Sequence, residues 1–432
     1  MLPTEREKIS DAGASRATSD PSQLARVVLA ISRVLYSSGQ STDEIVGTAR
    51  RLAGALGLDA VLLPRWGDLQ LVVRAGNDER RFDVAATPVG VNMHRVSLGM
   101  RTADDLETGH LAPEAVPERI ESIATTPVAP LWAFVLACGA GAAALAVLFG
   151  VRHLTAAMLI FASAAAGALV RRAIGRYSDN ALVQPFGAAF LAGLIGGLAV
   201  RYDVSSALRL VAVCPCMILV PGPHVLNGML DVIKGCVVLG ASRLIFAGSI
   251  IVAICVGLIL GLALLSASLP VDPPARGLPL WQDILAAGIA VACYSVYFST
   301  PPRMLLWPIA VGMLAHALRW VALTSFHAST AVGALVACLV VGLVLTPVAR
   351  RYQMPFAAIG FASVVSMIPG VFLFRAGSGL FQIASGSQLP EEVSDTIADA
   401  VTAALIVLAM SVGLVLPRVF ITPISGQKVS AK

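Results

Sequence analysis

The residues with the clearest chemical potential lie between Cys214 and Arg243, in the stretch CPCMILVPGPHVLNGMLDVIKGCVVLGASR. This stretch begins as an apolar helix and is interrupted at Pro221-Gly222-Pro223. Four polar side chains follow the interruption: His224, Asn227, Asp231 and Lys234. Irregular backbone and charged groups are tolerated at membrane depth only where they line a protein cavity or a water-filled path. We therefore predict that this broken helix forms half of a polar site.

A second stretch, Met354 to Leu380, is interrupted in the same way at Pro369-Gly370, with Ser366 just before the interruption. The first turn of a helix carries unpaired N–H groups and the positive end of the helix dipole, which suit a carboxylate. The pairs Pro221-Gly222 and Pro369-Gly370 would each create such a helix start. We predict that the two interruptions face each other across one pocket, to which Ser366 adds a hydroxyl.

The polar residues of the first interruption suggest individual roles. Asn227 can donate and accept hydrogen bonds, and Asp231 can bind an ammonium group or carry a proton. Asn227 and Asp231 are four residues apart on one helix face, and His224 lies a turn earlier as a second candidate for proton coupling. Structural alternatives remain open: Asp231 paired with Lys234, His224 as a capping or packing residue, and Asn227-Gly228 as a turn.

Composition predicts the elements that must position these residues. The chain has 432 residues, of which 57% are hydrophobic and 13% charged, whereas about a quarter of a soluble protein is charged. Acidic residues concentrate in 1–129, and 130–417 is poor in charge. The fold class predicted is mainly α: a polytopic membrane protein with about ten transmembrane helices in two inverted five-helix repeats, plus a small N-terminal cytoplasmic α+β domain.

The predicted domains follow these composition changes. Residues 1–23 form a disordered N-terminus, and 24–128 form the cytoplasmic α+β domain; the membrane repeats are 129–265 and 281–418, and 419–432 is a cytoplasmic tail. The Pro-rich loop 266–278 separates the repeats. Ten spans are expected near 130–150, 154–170, 182–200, 205–221, 243–265, 281–299, 303–323, 328–348, 354–374 and 394–416. Residues 224–241 and 376–390 are expected as additional amphipathic or re-entrant segments.

Local patterns predict the secondary structure of residues 24–128. Helical periodicity covers Leu24–Ser37 and Thr42–Leu56, with Ser41 as N-cap of the second helix and Glu44 completing a capping box. Short strands are expected at 60–63, 69–73 and 81–84, followed by helices at 91–106 and 113–123. No sequence pattern assembles the polar residues of this domain into a site.

The two membrane halves share a weak internal repeat. Arg201-Tyr202 and Arg351-Tyr352 each precede a Pro-Gly interruption by about twenty residues. A unit of five spans is odd, so the second copy would be inverted, which is an architecture of secondary transporters with the substrate near the midplane. Most loop arginines and lysines fall on the side of the N-terminus, which predicts cytoplasmic N- and C-termini.

At these residues the chain resembles the threonine/serine exporter family. The resemblance rests on SSGQSTDEI at Ser37–Ile45, on VPGPHVLNGMLDVIKG at Val220–Gly235, and on IPGVFLFRAG at Ile368–Gly377. It implies export of threonine, serine or related small metabolites from the cytoplasm across the cell membrane, coupled to protons. Such a substrate would present a carboxylate, an ammonium group and a hydroxyl to Pro221, Gly222, Asn227, Asp231, Ser366, Pro369 and Gly370, with proton coupling through Asp231 and His224.

Other function classes receive less support from the sequence. A membrane-embedded hydrolase and a passive channel for small polar solutes are the alternatives, but we find no nucleophile–base pair at usable spacing and no continuous polar stripe. The sequence contains no P-loop, which argues against ATP-driven transport. We predict no cofactor, no metal, no catalytic residue and no nucleic-acid partner. The partners are an amino-acid substrate, protons and the lipid bilayer, and a homo-oligomer is compatible with the sequence.

Overall fold

The computed structural model describes residues 20–76, 78–151, 153–202, 208–267, 278–352, 354–384 and 390–421. The predicted disordered N-terminus, most of the loop that separates the halves and the C-terminal tail lie largely outside these described residues.

The N-terminal unit, residues 20–124, contains one three-stranded sheet and four helices. Its helices are α1 (Pro21–Ser37), α2 (Thr42–Ala55), α3 (Met93–Glu107) and α4 (Val116–Ala124). The strands β1 (Asp59–Arg65), β2 (Gly67–Ala75) and β3 (Asp78–Ala86) form an antiparallel meander in the order β1-β2-β3. Leu69 and Leu71 of β2 are fully buried under α1 because alternate strand residues face the helices.

The start of α2 differs from the expected capping box. Ser41 is the N-cap residue, but its side chain makes no capping hydrogen bond among the described residues. Glu44 does not reach back to the N-cap; its carboxylate pairs instead with Arg418 near the end of the chain. The capping-box prediction is therefore wrong, because a partner far away in sequence competes for the Glu44 side chain.

Among the residues that the structure describes, eight helices are long and apolar enough to cross a bilayer. They are α5 (Leu131–Leu148), α6 (Leu154–Ile174), α7 (Val183–Arg201), α10 (Val237–Ala263), α11 (Leu280–Tyr297), α12 (Leu306–Thr324), α13 (Thr330–Arg351) and α16 (Pro390–Ile421). Large apolar side chains on their outer faces are exposed, among them Ile245, Val252 and Leu285. This exposure is expected where the surrounding medium is lipid.

Two further helix pairs are bent at a short break. The first pair is α8 (Leu208–Met217) and α9 (Gly222–Ile233), and its bend is 59°. The second joins α14 (Phe356–Val364), through a 3₁₀ turn at Val365–Met367, to α15 (Gly370–Ala384), and its bend is 57°. Counting each pair as one span gives ten spans, which agrees with the hydropathy prediction.

The segments expected to be separate from the spans belong to these helices. Residues 224–241 comprise most of α9, a turn at Gly235, where φ is +86°, and the first residues of α10. Helix α10 therefore begins six residues before the position expected for the fifth span. In the second half, residues 376–384 continue α15, and 385–389 lie outside the described residues.

Helix packing follows the same scheme in the two halves. Helix α7 packs along α10, and α13 packs along α16. In each half, the two packed helices are the ones that precede and follow a bent pair in the sequence. The second helix of each bent pair also crosses to the other half: α9 contacts α16, and α15 contacts α10. This exchange brings the two bent pairs together at the centre of the helical region.

Candidate functional site

The two Pro-Gly breaks are in direct contact. A methyl group added at Gly222 would overlap the Cδ1 atom of Ile368, and one added at Gly370 would lie 3.2 Å from the Cε atom of Met217. Each break therefore supplies a glycine against which the other break packs. The approach is closest at Gly222, where a methyl group would displace the end of the Ile368 side chain, whereas at Gly370 the flexible end of Met217 would need to shift only slightly.

A small cavity separates the breaks at this contact. It is lined by Met217 and Val220 before the first break, by residues on both sides of the second break, and by Tyr294 of α11. The Tyr294 hydroxyl donates a hydrogen bond to the Met217 carbonyl at 3.3 Å, so the chain end of α8 is held from the side. In this conformation the cavity has room for about one water molecule.

The polar face of α9 contacts the N-terminal unit. His224 Nε2 lies 3.2 Å from the Val89 carbonyl oxygen, and Asn227 Nδ2 donates to the Gly39 carbonyl at 3.2 Å. Both side chains are buried. Within the part of the chain that the structure describes, His224 Nδ1 and Asn227 Oδ1 have no hydrogen-bond partner. These two polar atoms of α9 are therefore buried in the contact between α9 and the N-terminal unit without a hydrogen-bond partner among the described residues.

Asp231 pairs with Arg243 on α10. The distance from Asp231 Oδ2 to Arg243 Nε is 3.1 Å, although the angles are not those of a hydrogen bond, so the contact is an ion pair. Arg243 also donates to Thr42 Oγ1 at 3.3 Å, and its guanidinium lies 5.4 Å from the centre of the Tyr36 ring. Both members of the pair are buried, at 4% and 1% exposure.

Lys234 does not pair with Asp231, which was one of the alternatives left open. It pairs with Asp43 at the start of α2. The neighbouring Glu44 pairs with Arg418 of α16, so two successive acidic residues bind two different helices of the membrane region. The N-terminal unit therefore contacts α9 through Gly39, through Asp43 in the first turn of α2, and through Val89.

Ser366 belongs to a second polar cluster, in the other half of the chain. His316 of α12 contacts Asp283 Oδ2 through Nδ1 at 3.1 Å and Ser366 Oγ through Nε2 at 2.9 Å. All three side chains are buried. Asp283 lies in the first turn of α11, and Ser366 lies in the 3₁₀ turn before the second break. These contacts therefore link the N-terminal end of α11 to the residues just before the second break.

The sequence analysis found Ser366 but missed His316 and Asp283. The available signal was an aspartate and a histidine inside two apolar helices, where ionisable residues are costly. Their pairing could not be read from their spacing because 33 residues separate them. The contact of His316 with Ser366 likewise could not be read from spacing, because 50 residues separate the two.

Neither cluster resembles a metal site. Among the residues that the structure describes, no group of three or more His, Cys, Asp or Glu side chains could hold a metal ion. The site residues predicted from sequence therefore divide in two. His224, Asn227 and Asp231 contact the N-terminal unit or α10. The two breaks instead adjoin the small cavity, and Ser366 belongs to the His316 cluster.

Two family models match the chain. Residues 26–265 match the model described as "Putative threonine/serine exporter", and residues 283–420 match the one described as "Threonine/Serine exporter, ThrE". The first match ends just after α10, and the second begins within α11. No solved structure matches the chain significantly.

Proposed function

This chain belongs to the threonine/serine exporter family, and from this premise we propose that it is a proton-driven secondary exporter of threonine, serine or related small metabolites. Family membership and the long apolar helices make it a multi-pass membrane protein. The observation that carries the proposal is the contact between two broken helices. Discontinuous helices that meet inside a bundle are the usual location of substrate in secondary transporters.

The proposed substrate position is the cavity between the breaks. The first turns of α9 and α15 start at Pro221-Gly222 and Pro369-Gly370, and their N–H groups would bind the substrate carboxylate. The Ser366 hydroxyl is close enough to the second break to bind the substrate hydroxyl. The cavity is closed in this conformation, so the breaks must move apart to admit an amino acid.

Asn227 and Asp231 are proposed to bind the substrate's polar groups from α9, and Asp231 and His224 are proposed for proton coupling. These roles stay predictions from the sequence. In this conformation the N-terminal unit and Arg243 occupy all three side chains. The proposed roles of His224 and Asn227 therefore require Val89 and Gly39 to move away from α9 during transport, and that of Asp231 requires it to separate from Arg243.

We propose that the two membrane halves are inverted repeats and that both termini are cytoplasmic. The matching packing of α7 on α10 and of α13 on α16 supports the repeat, as does the exchange of α9 and α15 between the halves. The excess of loop arginine and lysine on the side of the N-terminal unit supports the orientation. The N-terminal unit would then cover the cytoplasmic end of α9.

Flux measurements in proteoliposomes test the function. The purified full-length protein should move labelled threonine or serine when a pH gradient is imposed, and a protonophore should abolish this movement. Flux that is indifferent to the protonophore would instead indicate a channel, and conversion of the substrate without flux would indicate an enzyme.

A matched pair of variants tests the substrate position. Gly222→Ala should slow the flux because its methyl group presses on Ile368 across the cavity, whereas Gly248→Ala should not, because a methyl group there meets nothing within 4 Å. Equal flux in the two variants would contradict the proposed position.

A further inference from the structure

We propose that the chain of contacts Asp283–His316–Ser366 carries the proton that drives export. This inference rests on the proposed function and assigns one part of it to residues that the sequence analysis did not consider. The observation behind it is that a buried carboxylate, a buried imidazole and a hydroxyl at the second break are joined by contacts of 3.1 and 2.9 Å.

Asp283 offsets part of the electrostatic cost of a proton on this imidazole. A buried imidazolium ion is costly unless a counter-charge is adjacent, and Asp283 provides that charge at Nδ1. The other charged and titratable groups nearby are Arg319 on α12, whose charge opposes a proton on His316, and Cys338 on α13, which faces Arg319. The cluster can therefore exist with one proton more or one fewer without leaving an isolated charge.

Protonation of His316 changes what Ser366 can offer. In the neutral imidazole whose Nδ1–H donates to Asp283, Nε2 accepts the hydrogen bond of the Ser366 hydroxyl. When Nε2 takes up a proton it becomes a donor, and Ser366 Oγ must accept. The hydroxyl hydrogen is then free to turn away from His316 toward the second break, where it can donate to the substrate hydroxyl. Proton binding and substrate binding would be coupled through one hydroxyl group.

The location of the cluster also fits a proton path. Asp283 lies in the first turn of α11, and the other end of that helix, at Phe298, accepts a hydrogen bond from Met93 of the N-terminal unit. Fifteen residues of helix separate these ends by roughly 22 Å. The cluster thus extends from the membrane side opposite the N-terminal unit inward to Ser366, which adjoins the cavity.

The alternative carrier, Asp231, is less suited to this task. Its partner Arg243 is always charged and is 1% exposed. A proton placed on Asp231 would leave the Arg243 charge buried without a counter-ion, which costs several kcal/mol. A proton on His316 is opposed by burial and by Arg319, but it leaves no ion without a counter-ion, since the partner of His316 is the carboxylate of Asp283.

The same three residue types form the triad of serine hydrolases. Here the Ser366 hydroxyl contacts His316 inside a buried cluster, and the cavity beside it, lined by the neighbouring Val365, has room for about one water molecule. The two possible roles of this cluster predict different results for substrate exchange when His316 is replaced. If Ser366 were a nucleophile activated by His316, the replacement would abolish substrate turnover. If His316 carries a proton, the replacement leaves substrate exchange intact.

The test compares two transport modes of the full-length protein in proteoliposomes. Exchange of labelled for unlabelled threonine at equal pH needs no net proton movement, and accumulation driven by a pH gradient does. His316→Gln and Asp283→Asn should keep most of the exchange and lose gradient-driven accumulation by roughly 100-fold. His153→Gln, which alters an exposed histidine before α6, is the control and should retain both modes.

Two results would overturn the relay. One is accumulation by His316→Gln at the wild-type level; the other is a parallel loss of exchange and accumulation in variants whose melting temperature is unchanged. If the wild-type protein exchanges threonine but never accumulates it in a pH gradient, the proposed proton coupling fails before the relay is tested.

Should His316→Gln not fold, the wild-type protein labelled with ¹⁵N-histidine decides the question. The relay requires one buried imidazole whose NMR titration shifts when threonine is added, and whose signal changes in Asp283→Asn. Ring signals that are all indifferent to threonine would overturn it.

Discussion

The charged residue Asp231 illustrates how a buried pair can serve structure. Its partner Arg243 is held on three sides, by Asp231, by the Thr42 hydroxyl and by the ring of Tyr36. A guanidinium that is 1% exposed needs all of these contacts, because no water replaces any that is lost. Asp231 therefore stabilises the contact of α9 with α10 whatever it contributes to transport.

We expect Asp231→Asn to lower the free energy of unfolding by about 3 kcal/mol, because it leaves Arg243 buried without a counter-charge. Thermal unfolding in detergent would measure this loss. The matched control is Asp43→Asn, whose partner Lys234 lies at the same interface but in a half-exposed pair; it should cost no more than about 1 kcal/mol. A melting temperature of Asp231→Asn equal to that of the control would contradict the structural role.

Tyr36 provides a test of the same interface through pH. Burial raises the pKa of Tyr36 to about 12, against the opposing effect of Arg243, and its hydroxyl donates to the Arg65 carbonyl at 2.8 Å. Because the pKa of Tyr36 is higher in the folded state than its ordinary value of 10.0, the stabilisation is complete below pH 10 and is lost as the pH rises toward 12.

The expected loss over this range is about 3 kcal/mol, at 1.36 kcal/mol per pKa unit. It should be absent from Tyr36→Phe, so unfolding of both proteins at several pH values isolates it. Parallel pH profiles of the two proteins would show that Tyr36 ionises as readily in the folded state as in the unfolded state.

At the scale of elements, glycines set the distance between helices. Gly257 and Gly261 of α10 face α7, where a methyl group on Gly257 would lie 2.5 Å from the Phe186 carbonyl oxygen and one on Gly261 would overlap that of Phe190. Small residues four positions apart allow two backbones to approach closely in a membrane, where no hydrophobic force draws helices together. The same contact positions the bent pair that lies between α7 and α10 in the chain.

Gly261→Ala should therefore separate α7 from α10 and reduce stability by roughly 1–3 kcal/mol. Gly248→Ala, on the same helix but with nothing within 4 Å of the added methyl group, should leave the melting temperature unchanged or slightly higher. Comparable melting temperatures for the two variants would mean that α10 can shift to accommodate the methyl group.

At the scale of the whole molecule, the N-terminal unit is attached to the helical region at several places. Besides the bonds to α9, Glu44 pairs with Arg418 of α16, and the Met93 N–H donates to the Phe298 carbonyl of α11 at 2.8 Å. These contacts join the unit to both halves of the membrane region. Movement of the unit and movement of the broken helices are therefore mechanically linked.

Loss of the Glu44–Arg418 pair should make the linker between the N-terminal unit and the first span more accessible to proteases. We expect Glu44→Gln to speed cleavage of the linker 125–130 by a broad-specificity protease about fivefold, since a partly buried pair contributes about 1 kcal/mol. Arg51→Gln removes a pair with Glu107 inside the unit and is the control, with cleavage at the wild-type rate. Equal cleavage rates would show that the unit does not depend on Arg418 for its position.

The amino-acid sequence by itself determined the local features. Long apolar stretches marked the spans, Pro-Gly pairs marked both bends, and periods of two and 3.6 residues marked the strands and helices of the N-terminal unit. These features depend on backbone preferences and on hydropathy within a few turns of chain, so no distant residue is needed to predict them.

Only the tertiary structure decided which polar groups meet. Asp231 pairs with Arg243, although Lys234 is nearer in sequence, and Glu44 pairs with Arg418 instead of capping its own helix. His316 of α12 contacts both Asp283 of α11 and Ser366 before the second break. Each buried polar group requires a partner, but many arrangements of the same residues would satisfy that requirement. The arrangement is selected by how the apolar helices pack, and that packing depends on the shape of every surface at once.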